Sequence, residues 1–187
     1  SWADAAGIGP GLSTGEAAEK ELACVLTQAK IPLVLDADAL NILSKHPDWL
    51  KKGDTPKILT PHMGEMVRLS GHSVEELKQK PLELAAAYAK EHEVILVLKD
   101  ARTVVTDGER IVLNTTGNNG MATGGSGDVL TGIITGLLAQ GMAPFEAAVS
   151  GVYLHGLAGD RAAENTGVRG MLSTDLLKEL PGVLKEG

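Results

Sequence analysis

Three short, almost purely apolar runs, separated by stretches with helical character, constrain the fold more than any other feature of the sequence. The runs are "IPLVLD", "KILT" and "VILVLK". Apolar runs of this length, without polar alternation, are typical of strands buried on both faces of a parallel sheet. Strands that alternate with helices predict a mostly parallel central sheet covered by helices on both faces, which is a three-layer α/β/α architecture.

The connecting segments carry start and stop signals. Ser13 and Glu16 have the spacing of a capping box, which predicts the start of a helix. Gly71 is expected to end the helix that contains "GEMVRLS", and Pro81 to begin a new one. Two β-rich runs joined at Asp107-Gly108 predict a hairpin. The remainder of the chain is predicted to be helical.

Size and composition exclude several classes of protein. The 187 residues, 43% of them hydrophobic, predict one domain over 1–187. A net charge of −7 and an aromatic content of 3% argue against nucleic acid as a partner. No run approaches the roughly 20 apolar residues of a membrane span, so no membrane association is expected. Cys24 is the only cysteine, which fits a reducing compartment, and we expect the cytoplasm.

A glycine-rich turn precedes the first helix of the helical part, in "GMATGGSGDVLTG". Gly124, Gly125 and Gly127 permit a close approach of a ligand to the main chain. The free N–H groups and the positive dipole end of the following helix would point at that ligand. The turn therefore predicts a phosphate-binding site.

Asp128 follows this turn and has two interpretations. It is either a first-turn residue that complements the helix dipole or a base that accepts a proton from an attacking hydroxyl. A carboxylate beside a phosphate site repels the phosphate, so its presence there calls for a chemical purpose. This favours the interpretation of Asp128 as a base. Gly132 and Gly136 are expected to let this helix pack closely against a neighbour. Asp36 and Asp38 are expected to cap the helix that follows them.

Several chemistry-bearing residues follow predicted strands. Because ligands of open α/β sheets bind beyond the carboxyl ends of the strands, these residues are expected at one edge. They are Gly9, Gly11, Asp36, Asp38, His62 and Lys99.

The glycine turn resembles the signature of the ADP- or ATP-dependent NAD(P)H-hydrate dehydratases, a branch of the ribokinase-like superfamily. "IGPGL", "VLDADALNIL", "LTPHMGEM", "LKDARTVV" and "VYLHGLAGD" are similar to further motifs of that family and occur in its order. The resemblance implies a ribokinase-like fold and a nucleotide-repair lyase, often oligomeric. With Mg²⁺ and ADP or ATP, such a lyase dehydrates the S-epimer of hydrated NADH or NADPH through a phosphorylated intermediate.

The same resemblance implies roles for individual residues. Asp128 would be the catalytic base, Gly11, His62 and Asp128 would contact the hydrated dinucleotide, and Glu65 would act through Mg²⁺-bound water. The adenine nucleotide would be bound by Lys99, Asp100, Ala101, Arg102, Thr103, Gly124, Gly125, Ser126 and Gly127.

Three positions depart from the family pattern. Met63 and Asn119 stand where the family has proline, and Asp100 stands where it has glycine. Asp100 adds negative charge near the expected nucleotide site.

Other functions share some of these features. A ribokinase-superfamily kinase of a small alcohol or vitamin precursor would use the same turn and Asp128. Gly9, Gly11 and Asp36 imitate the fingerprint of a Rossmann dehydrogenase, although its third glycine is missing. A nucleotide-binding subunit without catalysis is a third alternative.

The dehydratase family has strands and helices before its "IGPGL" loop. We therefore expect the 187 residues to be part of a longer polypeptide, with an open sheet edge beside the strand entering at 3–8.

Overall fold

The strands of the sheet lie side by side in the order in which they occur along the chain. The structure is a computed structural model and describes residues 2–185. Its sheet has six strands in the order β1-β2-β3-β4-β5-β6. They are β1 Ala6–Ile8, β2 Leu33–Leu35, β3 Lys57–Leu59, β4 Ile95–Leu98, β5 Val104–Thr106 and β6 Ile111–Leu113. The first four are parallel, and β5 and β6 add antiparallel.

Eight α-helices connect or follow the strands in the described part of the chain. They are α1 Glu16–Gln28, α2 Ala37–Lys45, α3 Met63–Ser70, α4 Val74–Gln79, α5 Pro81–His92, α6 Ser126–Ala139, α7 Pro144–Thr166 and α8 Ser173–Val183. Two 3₁₀ turns cover Pro47–Lys51 and Asn119–Met121. Three predictions are confirmed: Gly71 ends α3 with φ 74, Pro81 begins α5, and β5 and β6 form a hairpin, although its loop comprises residues 107–110 and not only Asp107-Gly108. No described helix is long and apolar enough to cross a bilayer.

The two faces of the sheet bury separate apolar clusters. Leu33 and Leu35 of β2 face helices α1 to α5, whereas Val34 between them faces α6 and α7. Ile58 and Leu59 of β3 divide in the same way. Helix α8 packs against α7 and α6. The predicted three-layer arrangement is confirmed.

The predicted start of α1 is wrong. Its N-cap is Gly15, and no side chain caps it. Ser13 has φ 72, whereas an N-cap residue needs extended backbone. The Ser13 N–H instead donates to Oδ2 of Asp38 at 2.7 Å, which ties the loop after β1 to helix α2. Asp38 therefore contacts this loop.

The expected packing role of Gly132 and Gly136 is also wrong. A Cβ added at either position would meet no atom within 4 Å. Both face an open, mostly apolar groove of about 460 Å³ between α6 and α8. The close-packed glycines lie on α7, where a Cβ at Gly156 or Gly159 would overlap Thr116 or Met121.

The strand order argues against the Rossmann alternative. That fold binds dinucleotides in the crevice where the strand order reverses. Strands β1 to β4 run in sequential order with their carboxyl ends aligned, so they form no such crevice. Strand β1 is an edge strand of the described sheet.

Candidate active site

A cavity of about 800 Å³ opens where the carboxyl ends of the parallel strands meet the start of α6. Asp36, His62 and Lys99 follow β2, β3 and β4 and line this cavity, which confirms the predicted convergence. The other predicted site residues that line it are Glu65, Asp100, Ala101, Thr103, Ser126, Gly127 and Asp128.

Four predicted site residues do not line this cavity: Gly11, Arg102, Gly124 and Gly125. Gly11 lies in the loop after β1, at the same edge of the sheet, with φ 70. Gly125 is the N-cap of α6 and has φ 84, and a Cβ there would lie 2.8 Å from Oγ of Ser173. Glycine at this position therefore shapes the turn.

The first turn of α6 presents free backbone donors to the cavity. The N–H groups of Gly127 and Asp128 donate to no other group in the described part of the chain. Such unpaired N–H groups, together with the helix dipole, favour an anion. The arrangement has the features expected of a phosphate site.

The Asp128 side chain is exposed and does not cap the helix. No side chain caps α6, and within residues 2–185 the carboxylate has no hydrogen-bond or ion-pair partner. Asp128 borders both the cavity and the groove between α6 and α8. Its carboxylate is therefore available to a ligand.

Asp36 forms a buried ion pair with Lys99, so its predicted side-chain cap is wrong. Asp36 is 1% exposed; its Oδ1 accepts from Nζ of Lys99 and its Oδ2 from Oγ1 of Thr131, each at 2.8 Å. Burial raises the pKa of Asp36, but Lys99, Thr131 and Thr60 outweigh that effect and leave the pKa below its ordinary value. The ionised carboxylate thus joins strands β2 and β4 to helix α6.

Lys99 lies directly against the glycine turn. A Cβ added at Gly127 would come within 3.2 Å of Nζ of Lys99 and 3.5 Å of Oδ2 of Asp36. The absence of a side chain at Gly127 lets the ammonium group approach the free N–H groups of α6. This places a cation beside the anion site.

His62 and Glu65 form a capping box at the start of α3. Nδ1 of His62 accepts from the N–H groups of Gly64 at 3.0 Å and Glu65 at 3.3 Å, and Oε2 of Glu65 accepts from the His62 N–H at 2.8 Å. Since Nδ1 accepts, the imidazole proton is on Nε2, which lies 3.5 Å from Oε1 of Glu65. The exposed imidazole can donate to a ligand, whereas Glu65 is 5% exposed and held by its own helix.

His155 on α7 is a cavity residue that the sequence interpretation missed. Its Nε2 lies 3.2 Å from Oγ of Ser126. Burial lowers the pKa of His155 to about 4; a hydrogen bond with the Ser126 backbone opposes this shift, and the charge of Lys99 adds to it. The segment "VYLHGLAGD" contributed to the family resemblance, but no pattern within it indicated a contact with the turn.

The loop between β6 and α6 is fixed to α7. Asp160 accepts from the Gly117 N–H at 2.8 Å and from Nδ2 of Asn118 at 3.1 Å. Asn119, at one position that departs from the family pattern, begins the 3₁₀ turn in this loop. Asp100, at another, lines the cavity and accepts the Ala101 N–H at 2.8 Å. Its carboxylate is therefore held next to the backbone of its own loop.

No cluster of three potential metal ligands occurs among the described residues. Mg²⁺ bound through nucleotide phosphates keeps several waters and needs only one or two carboxylates. Two of the carboxylates that line this cavity, Glu65 and Asp128, are enough for that mode of binding.

A three-layer fold with a sheet-edge cavity and an anion site at a helix start defines the ribokinase-like class. A ribokinase-like superfamily protein from Enterococcus faecalis superimposes with a TM-score of 0.84 at 35% identity, over 98% of this chain and 63% of the other. Residues 1–182 match the model of the NAD(P)H-hydrate dehydratase family. The chain belongs to that family.

The chain is similar to two further proteins that are described as NAD(P)H-hydrate repair enzymes. The bifunctional NAD(P)H-hydrate repair enzyme of Moorella thermoacetica is 50% identical over 184 residues, which are 97% of this chain and 34% of the relative. The ADP/ATP-dependent NAD(P)H-hydrate dehydratase of Bacillus subtilis, co-crystallised with ATP and Mg²⁺, has a TM-score of 0.87 and 37% identity over 98% of this chain and 64% of the other. The chain thus spans about a third of the first relative and less than two thirds of the second.

Proposed function

We propose that this chain provides the active site of a dehydratase that uses ADP or ATP to return the S-epimer of hydrated NADH or NADPH to the normal cofactor. The observation that carries the proposal is the unpartnered Asp128 carboxylate beside the free N–H groups of α6. An anion site holds a phosphoryl group, and a free carboxylate next to it can accept a proton from the attacking hydroxyl. Membership of the dehydratase family supports this reaction.

The chemistry takes place in two steps. The added hydroxyl of the hydrate attacks the terminal phosphorus of the nucleotide, Asp128 accepts the hydroxyl proton, and the bond from phosphorus to the leaving nucleotide oxygen breaks. In the second step the carbon–oxygen bond to the new phosphate breaks, and an adjacent ring proton is lost. The ring double bond reforms, and phosphate is released without any change of oxidation state.

The chain binds the transferred phosphoryl group electrostatically. The N–H groups of Gly127 and Asp128 and the ammonium of Lys99 surround the place where its negative charge lies. Donors held before the reaction starts stabilise developing charge without reorganisation. When bound, Mg²⁺ would supply further charge neutralisation. Glu65, held by its capping box, would hold the ion through a water molecule.

The two ligands occupy different parts of the sheet edge. The segment 99–103 and the turn 124–127 bind the adenine nucleotide. His62, through Nε2–H, and the Gly11 loop bind the hydrated nicotinamide nucleotide. Most of these residues line one cavity, which supports a single site for both ligands.

A kinase of a small alcohol would use the same turn and base, so the product decides between the two functions. Incubation of chemically hydrated NADPH with ADP, or with ATP, and Mg²⁺ should restore the absorbance of the reduced nicotinamide and release phosphate. A stable phosphorylated alcohol, with no recovery of absorbance, would support the kinase.

The protein is further proposed to be a cytoplasmic homo-oligomer. Cys24 is a free, exposed thiol, which suits a reducing compartment. Leu177 and Leu184 are exposed beside the open groove of α6 and α8, and such an apolar surface is suited to an interface. Light scattering coupled to size-exclusion chromatography measures the oligomeric state.

A further inference from the structure

The hydroxyl of Ser126 reaches the anion site from the first position of α6. Ser126 is 6% exposed and lines the cavity next to the two free N–H groups. Within residues 2–185 its hydroxyl contacts one polar group, Nε2 of His155, at 3.2 Å. A hydroxyl rotates to suit its hydrogen-bond partner. His155 therefore determines whether Ser126 presents its proton or its lone pairs to a ligand.

His155 is held rigidly by the packing of α7. A Cβ at Gly151 would lie 2.6 Å from Cγ1 of Ile134 in α6, and a Cβ at Gly156 would overlap Thr116. These close contacts fix α7 against α6 and against the loop before the turn. The imidazole of His155 on α7 therefore has a fixed position relative to Ser126 on α6.

The state of the imidazole follows from its surroundings. Burial and the charge of Lys99 lower the pKa of His155 to about 4, so the ring is neutral near neutral pH and carries one N–H. A hydrogen bond with the Ser126 backbone acts in the opposite direction and raises the pKa. Nε2 is the ring nitrogen that lies 3.2 Å from Oγ of Ser126, so a neutral ring with its proton on Nε2 donates to this hydroxyl, whereas the other tautomer accepts from it.

We propose that His155 is a positioning residue that donates from Nε2–H to Oγ of Ser126 and so directs the Ser126 hydroxyl proton toward the anion site. The hydroxyl then adds a third donor to the N–H groups of Gly127 and Asp128. This inference rests on the proposed function only in taking the anion to be a nucleotide phosphate. With the opposite hydrogen bond, Ser126 would donate to the ring and present its lone pairs to the phosphate.

The test compares His155→Leu, Ser126→Ala and the double variant by titration calorimetry with ADP and with adenosine. A hydrogen bond to a charged group predicts that each single variant binds ADP about tenfold more weakly. The double variant should be no weaker than the single variants, because His155 acts through Ser126. Adenosine affinity should stay unchanged, since adenosine has no phosphate. His155→Gln, which keeps a side-chain N–H donor, should recover part of the loss.

Several results would overturn the inference. Additive losses in the double variant would mean that His155 acts on its own. Equal losses for ADP and adenosine would show a structural role, and tighter ADP binding by Ser126→Ala would show the opposite hydrogen bond. If His155→Leu does not fold, His155→Phe, which keeps an aromatic ring without a hydrogen-bond donor, replaces it in the cycle with Ser126→Ala.

The readout separates this inference from the proposed function. Non-additive ADP binding in a protein that does not restore NADPH would refute the dehydratase and leave the role of His155 intact. If the wild-type protein binds no ADP, the same variants are titrated with pyrophosphate. Equal pyrophosphate affinity in all of them would refute the role of His155.

Discussion

Replacing Lys99 by methionine should destabilise the protein strongly, because it leaves the Asp36 carboxylate buried without a counter-charge. Asp36 is 1% exposed, and the ammonium of Lys99 lies 2.8 Å from its Oδ1. Removing one partner of a buried ion pair costs about 3–5 kcal/mol. Since the Lys99 side chain is 21% exposed, we expect the lower end, about 3 kcal/mol. That is a large part of the roughly 5–15 kcal/mol that stabilises a typical domain.

The matched control removes both charges. Asp36→Asn/Lys99→Met leaves no buried charge, so it should be more stable than Lys99→Met alone. Equilibrium unfolding in urea gives the free energies of unfolding of the wild type, the two single variants and the double variant. The resulting cycle measures the coupling between the two side chains.

The pH dependence gives an independent check. The native pKa of Asp36 lies below its ordinary value, so the pair stabilises the wild type above the unfolded-state pKa, and this stability is lost as pH falls through the native pKa. In Lys99→Met burial dominates and raises the pKa of Asp36. The destabilisation should then be greatest near neutral pH and shrink on acidification. A cost below about 1 kcal/mol, independent of pH, would refute the buried-charge argument.

Three further predictions concern the turn, α6 and α7. Gly127→Ala should weaken ADP binding about tenfold in calorimetry, because the added Cβ would come within 3.2 Å of Nζ of Lys99, the ammonium group beside the anion site. Unchanged affinity would mean that the phosphates bind elsewhere. Gly136→Ala meets no atom within 4 Å and should raise the free energy of unfolding by about 0.5–1 kcal/mol; a loss would reveal a hidden contact. Because the native pKa of His155 is about 4, the unfolded state binds more protons below about pH 6.5, so stability should fall by up to about 3 kcal/mol towards pH 4. The free energy of unfolding of His155→Leu, measured in urea at several pH values, should not show this fall.

Short sequence patterns predicted helix ends and strands well, because these features depend on residues that are close together in the sequence. Pro81 and Gly71 mark helix ends through backbone geometry that is independent of the rest of the chain. The short apolar runs predicted buried parallel strands, and parallel strands bring their carboxyl ends to one edge. The meeting of His62 and Lys99 followed from that rule.

Long-range pairing could not be read from the sequence. Asp36 precedes a helix, as a cap does, but its partners Lys99 and Thr131 lie 63 and 95 residues away. Gly132 and Gly136 have the spacing of a close-packed helix face, and only the structure shows that this face is open. The contact of His155 with Ser126 likewise depends on how α7 packs against α6.

The most direct test of the central claim is the turnover of hydrated NADPH by the wild type and by Asp128→Asn, with ADP affinity measured on the same samples. General base catalysis contributes about 10²–10⁴ in rate, so the variant should lose a factor of about 100 or more. Because the Asp128 carboxylate has no partner within residues 2–185, stability should change little, and because this carboxylate repels a phosphate, ADP affinity should not fall. Near-normal turnover by Asp128→Asn, or no restoration of NADPH by the wild type with either nucleotide, would contradict the proposed function.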